Sequence, residues 1–203
     1  MTPRQRSVLL ITIGAVLALS AVALPNQLPV QPHTWLGFAS VYLVTGLLIE
    51  ALRTVRTPNS ADFRTTIAVA LVAVAFPVVL QVWPLHTNPL RSLSDLPTVA
   101  RSFQLLVPYA MALSTPLGAA TTGRRRAGVA GAILVPFVLA TLVGIAEGGD
   151  FGPIFAVGYH LFFLVVALVA GLPLFLYGRT LRDSDSLPRP SRSEPMHTAT
   201  EES

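Results

Sequence analysis

Two residue types are missing from the 203-residue chain, cysteine and lysine, and only 12% of its residues are charged. The lack of cysteine excludes disulfides, thiolate-bound metals, iron–sulfur clusters and cysteine nucleophiles. All fourteen basic residues are therefore arginines. Arginine codons are GC-rich and lysine codons are not, so this usage indicates a prokaryotic source with a GC-rich genome.

Apolar residues dominate what is present. They make up 52% of the chain, and the mean hydropathy is +0.63. These values lie outside the range of ordinary soluble domains and indicate an integral membrane protein. The pI of about 10.3 would suit a nucleic-acid partner, but the arginines are dispersed between apolar segments and form no basic face, so we predict none.

Six segments are long and apolar enough to cross about 30 Å of hydrocarbon as helices. We therefore predict an all-α integral membrane protein, a bundle of six transmembrane helices within residues 1–180. The predicted spans are 7–24, 34–53, 64–83, 97–120, 127–147 and 153–178. Residues 181–203 are rich in Arg, Asp, Ser, Pro and Thr, and this composition predicts a disordered polar tail.

Arginine distribution predicts the orientation, because cytoplasmic loops retain arginine and translocated loops exclude it. With the amino terminus inside, twelve of the fourteen arginines are cytoplasmic and only Arg91 and Arg101 are outside. We therefore predict a multi-pass protein of the cell membrane with both termini in the cytoplasm. The run Arg124, Arg125 and Arg126 is interpreted as a tight cytoplasmic turn that anchors spans four and five at anionic lipid headgroups.

The first span has an alternative interpretation as a secretory signal. It combines a basic start, an apolar core and the small-residue triplet Ala21-Val22-Ala23. The apolar run is long for a signal core, and Pro25 and Pro29 indicate a turn into the next helix. We therefore favour a retained first span.

Small residues and prolines recur inside the predicted spans. Gly14 with Ala18, and Gly128 with Gly131, would let helix backbones approach each other. Prolines interrupt four spans, at positions 77, 108, 116, 136 and 173. They are interpreted either as ordinary kinks that shape the bundle or as breaks around a solute site.

His160 is the polar residue most deeply placed in an apolar run, VGYHLFFLVV. Span six enters from the outside, so His160 lies roughly 10 Å below the outer end of the span. An ionisable group at this depth is costly unless a partner or cavity receives it. We predict that it faces the bundle interior and belongs to an outward-facing polar pocket, whose candidate members are His160, Tyr159, Glu147, Gln104, Tyr109 and Arg101.

Several chemistries use polar clusters of this kind. A metal site would combine His33, His86 or His160 with Glu147 or Asp150, but no two histidines have the i, i+4 spacing common in zinc motifs. Haem ligation requires two buried histidines, but only His160 is clearly within a span. A proton relay requires acidic groups in the central layer of the membrane, and the sequence places none there. A serine hydrolase requires a nucleophile motif, which is also missing. We therefore predict no catalytic residue, metal or cofactor. The alternative for the outer polar residues is an interfacial belt, with His160 hydrogen-bonded to a neighbouring helix.

The leading functional hypothesis is a transport-related protein or the solute-binding membrane subunit of a transporter, with an unknown small molecule as ligand. Its size and topology are similar to those of the substrate-binding subunits of energy-coupling-factor transporters, although no diagnostic residues of that family are evident. The alternative is a non-catalytic assembly subunit that packs against other membrane subunits. A membrane-embedded enzyme is the third hypothesis.

Overall fold

The computed structural model describes residues 3–24, 32–55, 63–82, 98–147 and 152–185. These residues form six α-helices: α1 (Pro3–Ala23), α2 (Pro32–Val55), α3 (Phe63–Val82), α4 (Thr98–Ala119), α5 (Gly123–Glu147) and α6 (Gly152–Asp185). Residues 186–203 of the predicted tail lie outside the described residues, as do the loops that connect α1 to α2, α2 to α3, α3 to α4 and α5 to α6.

Membrane character is evident in the helices themselves. Among the described residues, four helices are long and apolar enough to cross a membrane, in segments Arg4–Ala23, Trp35–Leu52, Gly123–Ala146 and Pro153–Asp183. A shorter apolar stretch in α3 covers Phe63–Val78. Large apolar side chains are exposed along these helices, as expected where lipid replaces water around the protein.

Helix α4 is the least apolar of the predicted spans because it lies inside the bundle. From Val107 to Ala120 every residue except Tyr109 and Leu117 is buried. The helix packs most extensively against α6 and also contacts α2, α3 and α5. Protein surrounds α4, so small and hydroxyl-bearing residues suit it better than a continuous apolar surface.

Two glycines allow α4 and α6 to cross in backbone contact. A Cβ atom added at Gly178 would lie 2.0 Å from the carbonyl oxygen of Thr115, and one added at Gly118 would lie 2.1 Å from that of Phe175. Earlier on both chains, a Cβ atom added at Gly171 of α6 would lie 3.6 Å from the Cα of Met111 on α4. Gly171 precedes Gly178 as Met111 precedes Thr115, so the two helices are parallel. This close approach lies in the last turn of α4.

Of the other glycines, some lie at helix contacts and others have open space around them. Gly14 of α1 packs against α2, where an added Cβ would lie 2.7 Å from Leu43 Cγ. Gly46 of α2 packs in turn against Ile11 of α1. The expectation for Gly14 is confirmed. The expectation for Gly128 and Gly131 is wrong, because nothing lies within 4 Å of a Cβ added at either position. Their face of α5 points away from the described part of the bundle.

Two helix boundaries differ from the predicted spans for local reasons. The α4–α5 turn is short, and Thr122 caps α5 by accepting a bond from the Arg125 amide to its hydroxyl oxygen at 3.3 Å. The run predicted as a turn, 123–126, is therefore the first turn of α5. At the other end of the chain, α6 continues to Asp185 because Leu181 is buried against the bundle. Residues 181–185 of the predicted tail are thus helical.

Side-chain contacts connect several helices at one end of the bundle. Ser7 near the start of α1 donates to the carbonyl of Gly46 in the second half of α2 at 3.2 Å, and its hydroxyl contacts that of Tyr177 late in α6 at 3.1 Å. The Arg125 guanidinium lies 5.1 Å from the centre of the Phe63 ring at the start of α3. The described helix ends that meet here carry Arg4, Arg6, Arg64, Arg124, Arg125, Arg126, Arg179 and Arg182.

Candidate functional site

His160 faces the interior of the bundle, as the sequence predicts. Its side chain is 3% exposed, and Ala156 and Ala167 on the same side of α6 are also buried. Gly158, two positions before the histidine, is exposed. Periodicity therefore predicts the direction of the histidine but not the full width of the inward face.

One ring nitrogen of His160 is bonded and the other is not. Nδ1 lies 2.8 Å from the carbonyl oxygen of Ala156, one turn earlier in α6. A carbonyl oxygen only accepts hydrogen bonds, so Nδ1 carries the proton and donates. In the neutral ring Nε2 is then an acceptor, and it is buried with no hydrogen-bond partner among the described residues. The structure thus leaves a directed lone pair inside the bundle.

The surroundings of the imidazole are small and apolar on two sides. A Cβ atom added at Gly144 of α5 would lie 3.6 Å from His160 Cε1 and 3.1 Å from the Cβ of Ala156. The Phe163 ring meets the imidazole edge to face, with centroids 5.9 Å apart and planes at 82°. These contacts hold the ring between α5 and α6 and provide no polar partner for Nε2.

Gln104 is the second predicted pocket residue that the structure buries, with 5% of its surface exposed. Its depth follows from the parallel α4–α6 pair, in which the Cα of Met111 lies 3.6 Å from the Cβ position of Gly171. Counting back seven residues on both helices places Gln104 level with Leu164. His160 is about one helical turn, roughly 6 Å, further toward the outer end. The two residues are therefore close in depth.

Two predicted members of the pocket are directed elsewhere. The Tyr109 hydroxyl donates to the carbonyl of Ala132 at 2.9 Å. Ala132 is twelve residues from Gly144 on α5, which places this bond about 18 Å along the helix from the His160 contact. Tyr159 is 45% exposed, and its ring stacks between Phe155 and Phe163 at centroid distances of 6.2 and 6.3 Å. Adjacent helix positions point about 100° apart, so a buried His160 turns Tyr159 outward.

Side chains at the outer rim lie outside the described residues. They include two predicted pocket members, Arg101 and Glu147, and the metal candidates His33, His86 and Asp150. Within the described part of the chain, no group of three or more His, Asp or Glu residues is arranged to hold a metal ion. The described site therefore consists of His160, with Gln104 close to it in depth.

A cavity at the arginine-bearing end was not anticipated from the sequence. It has a volume of about 390 Å³ and is lined by Leu117, Gly118, Arg126, Phe175, Arg179 and Arg182. Of the three consecutive arginines predicted to anchor lipid, Arg126 alone lines the cavity. Arg125 lies over Phe63, and Arg124 is exposed. The sequence signal for this site was the basic end of α6, which served only to predict orientation.

Comparisons with known proteins identify no relative of the chain. No protein-family model, curated protein or solved structure matches it. The chain is a helical protein with the character of a membrane protein, and its function has to be inferred from its own residues.

Proposed function

We propose that all six helices cross the cell membrane and that both termini lie in the cytoplasm. The arginine-bearing helix ends meet at one end of the bundle, which agrees with the sequence asymmetry and the preference of arginine for the cytoplasmic side. Helix α4 crosses although it is less apolar, because neighbouring helices shield it from lipid. Helix α3 crosses with its apolar stretch of Phe63–Val78.

The function that this geometry supports best is solute binding for transport, with His160 as a direct contact to the solute. The supporting observation is the buried Nε2 atom, which has no hydrogen-bond partner among the described residues. A buried acceptor left unpaired costs about 1–3 kcal/mol. A solute that donates a hydrogen bond to Nε2 would recover this free energy. Gln104, close in depth to His160, contributes an amide to the same half of the bundle.

The orientation of the imidazole defines what the solute must offer. Because Nδ1 donates to Ala156, Nε2 presents a lone pair and selects a donor such as an ammonium, an amide N–H or a hydroxyl. The apolar contacts with Gly144 and Phe163 favour a small solute with an apolar portion. The chemical class is therefore a small amphipathic molecule with at least one hydrogen-bond donor.

Two substitutions at His160 separate a solute contact from a structural role. Gln retains a polar group near the position of Nε2, whereas Asn retains one near Nδ1 and has nothing at Nε2. Small molecules released from the purified full-length protein would be compared by mass spectrometry for wild type, His160→Gln, His160→Asn and His160→Phe. We expect Gln to retain a solute that Asn and Phe lose by about tenfold or more.

Thermal unfolding of the same variants in detergent provides the control. If the bond from Nδ1 to Ala156 were the sole role of His160, Asn would preserve stability while Gln and Phe lowered it, and bound solutes would not change. That pattern would reject the proposed function.

A second candidate function, an assembly subunit, is favoured by the outward face of α5. Gly128 and Ala132 are exposed and spaced four residues apart, a pattern that permits close helix association in membranes. Affinity purification from native membranes would test it. A stoichiometric partner protein that is lost in Gly128→Leu would support assembly, and recovery of the chain without partners would favour solute binding.

A further inference from the structure

The cavity at the arginine-bearing end lies between the end of α4, the start of α5 and the last part of α6. Its wall combines three guanidinium groups, from Arg126, Arg179 and Arg182, with the apolar side chains of Leu117 and Phe175. The lining therefore combines positive charge with apolar surface. The cavity shares no residue with the site at His160 and Gln104.

The α4–α6 crossing gives the cavity a fixed shape. Gly118 lines it, and the backbone nitrogen of Arg179 lies 2.9 Å from the position that a Gly118 Cβ would occupy. The backbone contact between the two helices therefore fixes the position of the Arg179 backbone beside the cavity. Arg126 is fixed from the opposite side, because its Nε donates to the carbonyl of Ala120 at 3.1 Å. The backbones of both arginines are held in place by packing. Less conformational entropy is therefore lost when their side chains bind an anion.

Most of the cationic donors are not used within the described protein. Arg126 uses its Nε, which leaves the two terminal nitrogens of its guanidinium for another acceptor. Arg182 donates through Nε and Nη2 to Asp183 Oδ1 at 3.1 and 3.0 Å. Arg179 forms no hydrogen bond or ion pair within the described ranges. Three positive charges and one carboxylate leave a local charge of about +2.

The start of α5 adds to the positive potential. Arg126 lies in the first turn of α5, and that turn contains no acidic residue. The amino-terminal end of a helix carries a partial positive charge, so arginines there are unfavourable by about 0.3–1 kcal/mol each unless an anion neutralises them. A bound anion would relieve this repulsion and satisfy the open guanidinium donors together.

We propose that this cavity is a binding site for a phosphate ester, held mainly by Arg126 and Arg179, with Arg182 as a further cationic lining residue. Guanidinium groups match phosphate oxygens in paired hydrogen bonds, and such charge-assisted bonds are the strong ones. The apolar lining residues accommodate the carbon portion next to the phosphate. The exposed Leu172 and Leu176 on α6 offer an apolar surface for an acyl chain. A phospholipid headgroup and a soluble phosphorylated molecule share the chemistry that the site recognises.

The test uses the purified full-length protein in a neutral detergent and native mass spectrometry. Phosphatidylglycerol and phosphatidylcholine are titrated separately, and inorganic phosphate and glycerol 3-phosphate are then added as competitors. Wild type should retain phosphatidylglycerol more tightly than phosphatidylcholine. Arg126→Gln and Arg179→Gln should each weaken that binding by about tenfold. Arg124→Gln removes the same charge from the same turn of α5 without touching the cavity, and it should stay within about twofold of wild type.

The competitors identify the source of the phosphate. Displacement of phosphatidylglycerol by glycerol 3-phosphate indicates a soluble phosphorylated ligand, whereas resistance to both competitors indicates a lipid headgroup. Arg179→Lys retains the charge without the paired donors, so it should bind less tightly than wild type while folding normally, as checked by gel filtration. Equal weakening by Arg124→Gln, Arg126→Gln and Arg179→Gln would overturn the proposal, because it would indicate diffuse attraction and no site.

Discussion

A methyl group added at Gly178 tests the backbone contact between α4 and α6. The new Cβ would lie 2.0 Å from the carbonyl oxygen of Thr115 and 3.0 Å from the backbone nitrogen of Ala119. Ordinary van der Waals contact begins at 3.4 Å, so α4 and α6 must separate locally by about 1.4 Å. The opposing atoms are backbone, so no side-chain rotation can relieve the clash.

The expected cost follows from that separation. A gap of about 0.5–1 Å already loses a quarter to a half of the dispersion energy between packed atoms. Overpacking in a core costs about 1–3 kcal/mol, and a backbone clash belongs in the upper part of this range. For Gly178→Ala we expect a destabilisation of about 2–3 kcal/mol. In a chain of this length it lowers the apparent Tm by about 4–12 °C.

Thermal unfolding of purified protein in one detergent, followed by size-exclusion chromatography, measures the effect. Gly128→Ala is the matched control, because an added Cβ there meets nothing within 4 Å. This control should leave Tm unchanged or raise it slightly, since alanine favours the helix. Gly118→Ala should resemble Gly178→Ala, and the double variant should cost less than the sum because one separation relieves both clashes. Equal Tm values for Gly178→Ala and Gly128→Ala would refute the proposed backbone contact.

Three further predictions concern the arginine-bearing end and the topology. Tyr177→Phe removes the hydroxyl that bonds to Ser7 and should cost about 1 kcal/mol or less by the same unfolding assay; a loss as large as that of the glycine variants would contradict this role. Single cysteines at Asn26 and Gly149 should react with an impermeant thiol reagent in intact cells, while one at Gly123 should not, and labelling at Gly123 would reverse the orientation. Intact mass should show the first 23 residues retained, because α1 packs against α2 and α6; their loss would support the signal-peptide interpretation.

The sequence alone determined the class of protein. The positions of its arginines also predicted which helix ends carry positive charge. Long apolar segments require helices in a bilayer, because every backbone donor and acceptor must be paired within its own segment. The inward direction of His160 could also be predicted, since an imidazole facing hydrocarbon would be unpaired. These conclusions depend on composition and on local geometry, which a single sequence contains.

Only the tertiary structure decided which residues meet. Glycines look alike in a sequence, but Gly178 lies at a backbone crossing while Gly128 faces outward, and the choice depends on where the neighbouring helix lies. Tyr109 and His160 are both candidate members of the predicted pocket, yet the Tyr109 hydroxyl bonds to Ala132 on α5, far from the histidine. Arg126 and Arg179 are separated by 53 positions and become neighbours only because the start of α5 and the last part of α6 meet beside the end of α4. Contacts between helices depend on rotation and relative depth, and neither is encoded in the hydropathy of one segment.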